Sequence, residues 1–243
     1  MRLEILGSDV AREEQAASHV ADAATRSLGE RAVCAVAFSG GSTPTAMLAA
    51  LADQDLPWER IHVFQVDERI VPGGHRDRNL DVLQRYLLDP ARVPSTNVHP
   101  MPVTDPDPAV AANRYAAELA RVCGDPPVLD LVHLGLGADG HTASLVPDDP
   151  VVQISDRPVA TTSVYRGHRR MTLTVPVLVR ARQQLWLVVG ADKADAVRRL
   201  VRRDPEIPAS RVAHEDALLV LDDVAAEQVA SNRDRPDEDR TGA

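Results

Sequence analysis

The chain has 243 residues, 44% of them apolar, 26% charged and only 3% aromatic, and it carries a formal net charge of -9. That is globular usage for one α/β domain with an aliphatic core. The acidic balance, the lack of a Lys/Arg cluster and the scarcity of aromatic rings argue against binding nucleic acid by phosphate neutralisation or base stacking. The opening MRLEILGSDVAREEQ has no basic start followed by an apolar run, and no stretch approaches about 18 consecutive apolar residues, so a cytoplasmic chain that does not enter a membrane is expected.

Short β-rich runs alternate with Ala-rich helical segments along the whole chain, the pattern of βαβ units and a mostly parallel sheet. Residues 3–6 read as a first strand, and 10–28 as a helix stopped by Gly29. The run 32–38 (AVCAVAF) is apolar on both faces, as suits a strand covered by helices on both sides. It breaks at SGGSTP (39–44), after which 45–53 reads as a helix with Pro44 near its first turn. Residues 61–67 are a second inner strand, followed by the loop ERIVPGGHRDRN and a helix over 80–88. A third inner strand, 128–137, again ends in glycines; 169–176 alternates like a half-buried strand; 184–190 and 217–222 close the series, each before a helix. Cys34 lies in an apolar run and Cys123 in an Ala-rich helical stretch before Gly124, so both read as free thiols. Residues 1–230 are expected to form one domain, with the polar 231–243 as a flexible tail.

Three inner strands each end in a polar or glycine-rich loop, and the strand ends of a parallel sheet share one edge, so these loops should converge on one cleft. Gly40, Gly41 and Ser42 precede a helix start, a natural anion site although it is neither a Walker loop nor a dinucleotide fingerprint. Asp67 emerges where the second strand ends, beside Arg69, whose planar fork suits a phosphate. Lys193 opens the helix after another strand. In GLGADGH (135–141) the glycines require a positive φ at one or more positions, and they deliver Asp139 and His141 two residues apart. A histidine beside a carboxylate is the natural general base at neutral pH, its partner being Asp139 or Asp67. Taken alone, this histidine would more readily cap a helix starting near Thr142 than act as a base. No Cys/His cluster or H-E-x-x-H points to a metal.

The blocks FSGGSTP, QVDERIVP with RNL, NVHPMP, LGLGADGHTASLVP, RMTLTVP and GADKADAV occur in that order over roughly residues 35 to 200. Together they resemble the signature blocks of the 6-phosphogluconolactonase family. That resemblance implies a three-layer α/β fold of the glucosamine-6-phosphate deaminase and ribose-5-phosphate isomerase kind, with a mostly parallel sheet flanked by helices. It also implies hydrolysis of a sugar-phosphate lactone in the oxidative pentose phosphate pathway, with no cofactor and no metal, by a monomer or weak homo-oligomer. Carried over by position, His141 matches the family's general base, with Asp139 in the same motif. Arg69, Lys193 and Arg170 match phosphate-pocket residues, and Gly40, Gly41 and Ser42 supply the loop. The chain departs from the family in Val146, in LVRA (178–181) and in YRGHRR, where adjacent Arg169 and Arg170 leave the pocket residue open between them. The related deaminases read M-D-E-Y where this chain has V-D-E-R, and I-A-F-N-E where it has T-A-S-L-V.

Overall fold

A computed structural model describes residues 1–230; the tail expected at 231–243 lies outside the described residues. After strand β1 (Arg2–Ile5), Ser8 caps helix α1 (Asp9–Glu30) by accepting a hydrogen bond from Ala11 N. Gly29 does not stop this helix: it runs one residue further, until Arg31 closes it with an N–H to Ser27 O. The apolar run then forms β2 (Cys34–Phe38), buried at every position.

Seven strands form one parallel sheet in the order β1, β10 (Leu218–Leu221), β9 (Gln184–Val188), β6 (Leu131–Leu134), β2, β3 (Ile61–Gln65), β5 (Val98–His99). Alternation along each strand divides the core in two. Cys34, Val36 and Phe38 face α1, α2 (Thr45–Ala52), α3 (Asn79–Leu83) and the π-helical turn that continues it to Leu88. Ala35 and Ala37 face the other side, where α4 (Pro108–Cys123), α5 (Val175–Arg180), α6 (Ala194–Val201), α7 (Pro208–Val212) and α8 (Asp223–Ala230) pack. The expected three layers are present. Cys34 and Cys123 are free, and burial pushes both thiols up to about 12, so they behave as small apolar residues. Among the described residues no helix is long and apolar enough to cross a membrane.

Two strands differ from the sequence expectation. The strand expected over 61–67 ends at Gln65, and Asp67–Arg69 forms β4 in a separate antiparallel sheet, β4-β8-β7, with β8 at Arg170–Leu173 and β7 at Val159–Thr161. The chain crosses between the sheets at Val66, whose N–H donates to Phe38 O (3.0 Å) while its carbonyl accepts from Leu173 N (2.9 Å). Nor is β8 half-buried, since as the middle strand of the small sheet it is buried at every position. β5 has only two residues, too few to show a period.

The crossing is held by one carboxylate. Glu68 is fully buried and accepts hydrogen bonds from Arg69 N (2.8 Å), Asn79 N (2.8 Å), Leu80 N (2.9 Å) and Gln65 Nε2 (2.9 Å), with the Arg78 guanidinium 3.2 Å away. Gln65 in turn accepts Met101 N at 2.9 Å. Removing the acid strands a buried guanidinium and three backbone N–H groups. Glu68→Ala is therefore expected to lower unfolding stability by about 3–5 kcal/mol, read as a shift in the denaturant midpoint.

Candidate active site

The strand order reverses between β2 and β6, and a cleft of about 210 Å³ opens at the carboxyl ends of these strands and their neighbours. The three expected loops meet there. Gly40 comes from the turn after β2, Asp67 and Arg69 from β4, Gly137 and His141 from the loop after β6, and Lys193 from the turn after β9.

The loop after β6 owes its shape to two different glycine properties. Gly140 is the one with positive φ, at 83°. Gly137 is needed for space, because a Cβ there would overlap the His141 ring and the Asp139 carboxylate. The loop closes through Gly137 N to His141 O (2.8 Å) and Gly140 N to Gly137 O (2.9 Å). No helix starts near Thr142: Leu145 N donates back to Thr142 O at 2.9 Å, and Ala143 takes φ 53°, so the chain makes a tight turn and His141 is not a helix cap.

Within this loop His141 Nδ1 lies 2.5 Å from Asp139 Oδ1, whose oxygen also accepts His141 N at 3.2 Å. A carboxylate on Nδ1 fixes the tautomer that leaves Nε2 as the proton acceptor. The second Asp139 oxygen accepts the Tyr165 hydroxyl at 2.8 Å, and the Tyr165 ring stands edge-on to the imidazole with centroids 5.5 Å apart. Partial burial works to raise the Asp139 carboxyl, but the hydrogen bonds from His141 and Tyr165 outweigh it and carry the group down to about 2. Tyr165 belongs to a two-residue hairpin closed by Tyr165 N to His168 O (2.9 Å), with Arg166 and Gly167 at φ 48° and 84°. His168 Nε2, 3.2 Å from Asp77 Oδ2, ties the hairpin to the loop before α3.

Asp67 does not touch His141. Its carboxylate accepts Ser144 Oγ (2.5 Å) and Asn79 Nδ2 (3.2 Å) and lies 3.9 Å from Arg170 Nη1, so it organises the cleft wall. Arg170 is buried and lines the cleft, with its guanidinium 5.3 Å from the Tyr165 ring centre. Arg169 is exposed and donates to Thr162 O and Thr161 Oγ1 on β7 and just beyond it. The pocket residue is thus Arg170. Arg69 donates to Asn79 Oδ1 and to Asp77 O, and Lys193 sits 2.9 Å from Asp192. Gly40 lines the cleft together with Thr43 and Pro44. Gly41 and Ser42 instead line a neighbouring groove with Arg69 and Arg76. Four cations, Arg69, Arg166, Arg170 and Lys193, therefore face this cavity in a chain of net charge -9.

Several working residues carry no motif of their own. Asn79 and Ser144 lie inside quoted blocks without an assigned role. Tyr165 is signalled only by the Arg166-Gly167 pair, a two-residue hairpin turn. Among the described residues no group of three or more His, Cys, Asp or Glu side chains is arranged to hold a metal ion.

The family model for glucosamine-6-phosphate isomerases/6-phosphogluconolactonase matches residues 8–221. The chain is 40% identical over 213 residues to a 6-phosphogluconolactonase of Synechocystis sp., covering 84% of this chain and 88% of that protein. In structure it is similar to a 6-phosphogluconolactonase of Thermotoga maritima, with TM-score 0.81 and 28% identity over 91% of this chain and 98% of the other. A monomeric glucosamine-6-phosphate deaminase shares the fold at TM-score 0.80 and 19% identity, covering 94% of this chain and 100% of its own.

The Tyr165 hydroxyl stabilises the charged form of Asp139, so removing it must raise that carboxyl. In Tyr165→Phe the Asp139 titration, followed by carboxyl ¹³C NMR, is expected to move up from about 2 by roughly one pH unit.

Proposed function

The chain belongs to the glucosamine-6-phosphate isomerase and 6-phosphogluconolactonase family, and we propose that its cleft hydrolyses 6-phospho-D-glucono-1,5-lactone to 6-phospho-D-gluconate with a water activated by His141. It is thus a lactone hydrolase of the oxidative pentose phosphate pathway. The observation that carries the mechanism is the 2.5 Å contact of His141 with Asp139 in a cleft that also presents Arg69, Arg170 and Lys193.

His141 Nε2 takes a proton as the water oxygen bonds to the lactone C1, and Asp139 stabilises the imidazolium that results. The tetrahedral oxyanion then collapses, breaking the bond between C1 and the ring oxygen. The imidazolium returns its proton to that oxygen, which becomes the C5 hydroxyl, and the new acid ionises to a carboxylate. A δ-lactone is an activated ester, so a positioned base worth roughly 10² to 10⁴ in rate, added to anchoring of the phosphate, suffices. No serine nucleophile, metal or cofactor enters any step. Arg69 and Lys193 hold the phosphate, with the Gly40-Gly41-Ser42 turn and the start of α2 beside them, and Arg170 lines the same pocket. Asp67 acts through Ser144, Asn79 and Arg170 and leaves the proton transfer to the His141–Asp139 pair.

The V-D-E-R and T-A-S-L-V sequences favour the lactonase over the deaminase branch of the fold. On the same reading, residues 1–230 act as one domain, as a monomer or weak homo-oligomer in the cytoplasm, on a small sugar phosphate and without nucleic acid or membrane.

The purified protein is assayed for acid release from the phosphogluconolactone and for ammonia release from glucosamine 6-phosphate; ammonia without lactone turnover overturns the reading. His141→Ala is expected to lower kcat by about 10² to 10⁴ with little change in KM. Lys193→Ala is expected to raise KM about tenfold with kcat nearly intact, because the phosphate is held equally in ground and transition states.

A further inference from the structure

On the α1 side of β2, β6 and β9 the strands present Val36, Phe38, Leu131, Leu185 and Leu187, all apolar and buried, and among them one histidine. His133, next to last in β6, is 1% exposed, and neither of its ring nitrogens has a hydrogen-bond partner. Its backbone carbonyl is engaged, accepting both Ser39 N (3.2 Å) and Ser39 Oγ (3.1 Å). The ring lies beside Phe38, with centroids 6.1 Å apart, and reaches the floor of the cleft among Ser39, Gly40, Thr43, Leu187 and Lys193.

A buried polar group without a partner costs folding free energy and calls for an explanation. Burial pushes the His133 imidazolium down to about 4, so at neutral pH the ring is uncharged, with one N–H donor and one bare nitrogen acceptor. The aliphatic neighbours offer it nothing, and the cleft is where a partner can sit. The two ring nitrogens point apart, so a partner in the cleft meets one of them, which donates or accepts according to the tautomer. A hydroxyl does both, and the ring of an aldonolactone carries several.

We propose that His133 is a specificity-determining residue whose neutral imidazole binds a ring hydroxyl of the sugar phosphate on the floor of the cleft. The proposal rests on the lactonase reading above and adds to it the part of the substrate that is neither phosphate nor carbonyl. A site built to bond a hydroxyl discriminates strongly against analogues that lack one. The same chemistry is available from a bound water, and the two sources predict different kinetics.

The test compares wild type, His133→Leu and His133→Gln, the leucine matching its apolar neighbours and the glutamine restoring a donor and an acceptor. KM and kcat for the lactone are measured together with inhibition constants for 6-phosphogluconate and for inorganic phosphate. The expected result is a rise of about tenfold in KM and in the 6-phosphogluconate constant for the leucine variant, with the inorganic phosphate constant unchanged and partial recovery in the glutamine variant. A folded leucine variant with KM within twofold of wild type means that only a water is bound, and overturns the proposal. An equal weakening of inorganic phosphate also overturns it, since His133 would then act on the anion or on cleft shape. If the leucine chain does not fold, His133→Phe takes its place in the same comparison. Absence of lactone turnover in the wild type is a separate failure and counts against the lactonase reading itself.

Discussion

The site depends on a charge that water never reaches. Glu68 lies at the join between the two sheets, and its four N–H donors and the Arg78 guanidinium supply the solvation that burial removes. Satisfying it fixes the turn at residues 78–80 against β4, and that in turn sets Asn79 between Asp67 and Arg69. The carboxylate does not itself line the cleft, but it bonds the backbone of Arg69 and Asn79, which do. It thereby determines where the cleft-lining Arg69 and the wall-forming Asp67 are placed. In the D-E-R triplet the outer two residues face function and the middle one holds them there.

The two other acids of the site have different surroundings and different work. Asp139, half-exposed and hydrogen-bonded to both His141 and Tyr165, is held ionised and orients the imidazole. Asp67, buried among Ser144, Asn79 and Arg170, is consumed by the wall. Around them the cleft gathers cations from an acidic chain, so positive charge is concentrated there against the sign of the whole. The cleft thus separates its cations, Arg69, Arg166, Arg170 and Lys193, from the His141–Asp139 pair, which lies on a single loop.

Much of this was legible in the sequence. Strands apolar on both faces, such as 34–38, can only be inner strands of a sheet covered on both sides, and the polar loops that follow them then share an edge by geometry alone. The excursion into a second sheet was not legible, because 61–67 reads as one continuous β-like run and the switch at Val66 depends on which strands lie on either side. Nor was Tyr165, since a hydroxyl reaching back 26 residues to Asp139 leaves no local pattern. The choice between Arg169 and Arg170 depended on the pleat of β8, where a shift of one residue exchanges inside and outside. His133 reads as one polar letter in an apolar strand, and only its unpaired nitrogens give it meaning.

Val66 has a mechanical consequence. Its N–H is bonded to the large sheet and its carbonyl to the small one, so the two successive peptide units that meet at this residue belong to different sheets. Arg69 and Arg170 ride on the small sheet, while Lys193 is fixed to the large one. The span between the arginines and the lysine is therefore set where Val66 meets Phe38 and Leu173, and not within either sheet alone. Cations that line one cleft are thus held by two frames that meet at one residue.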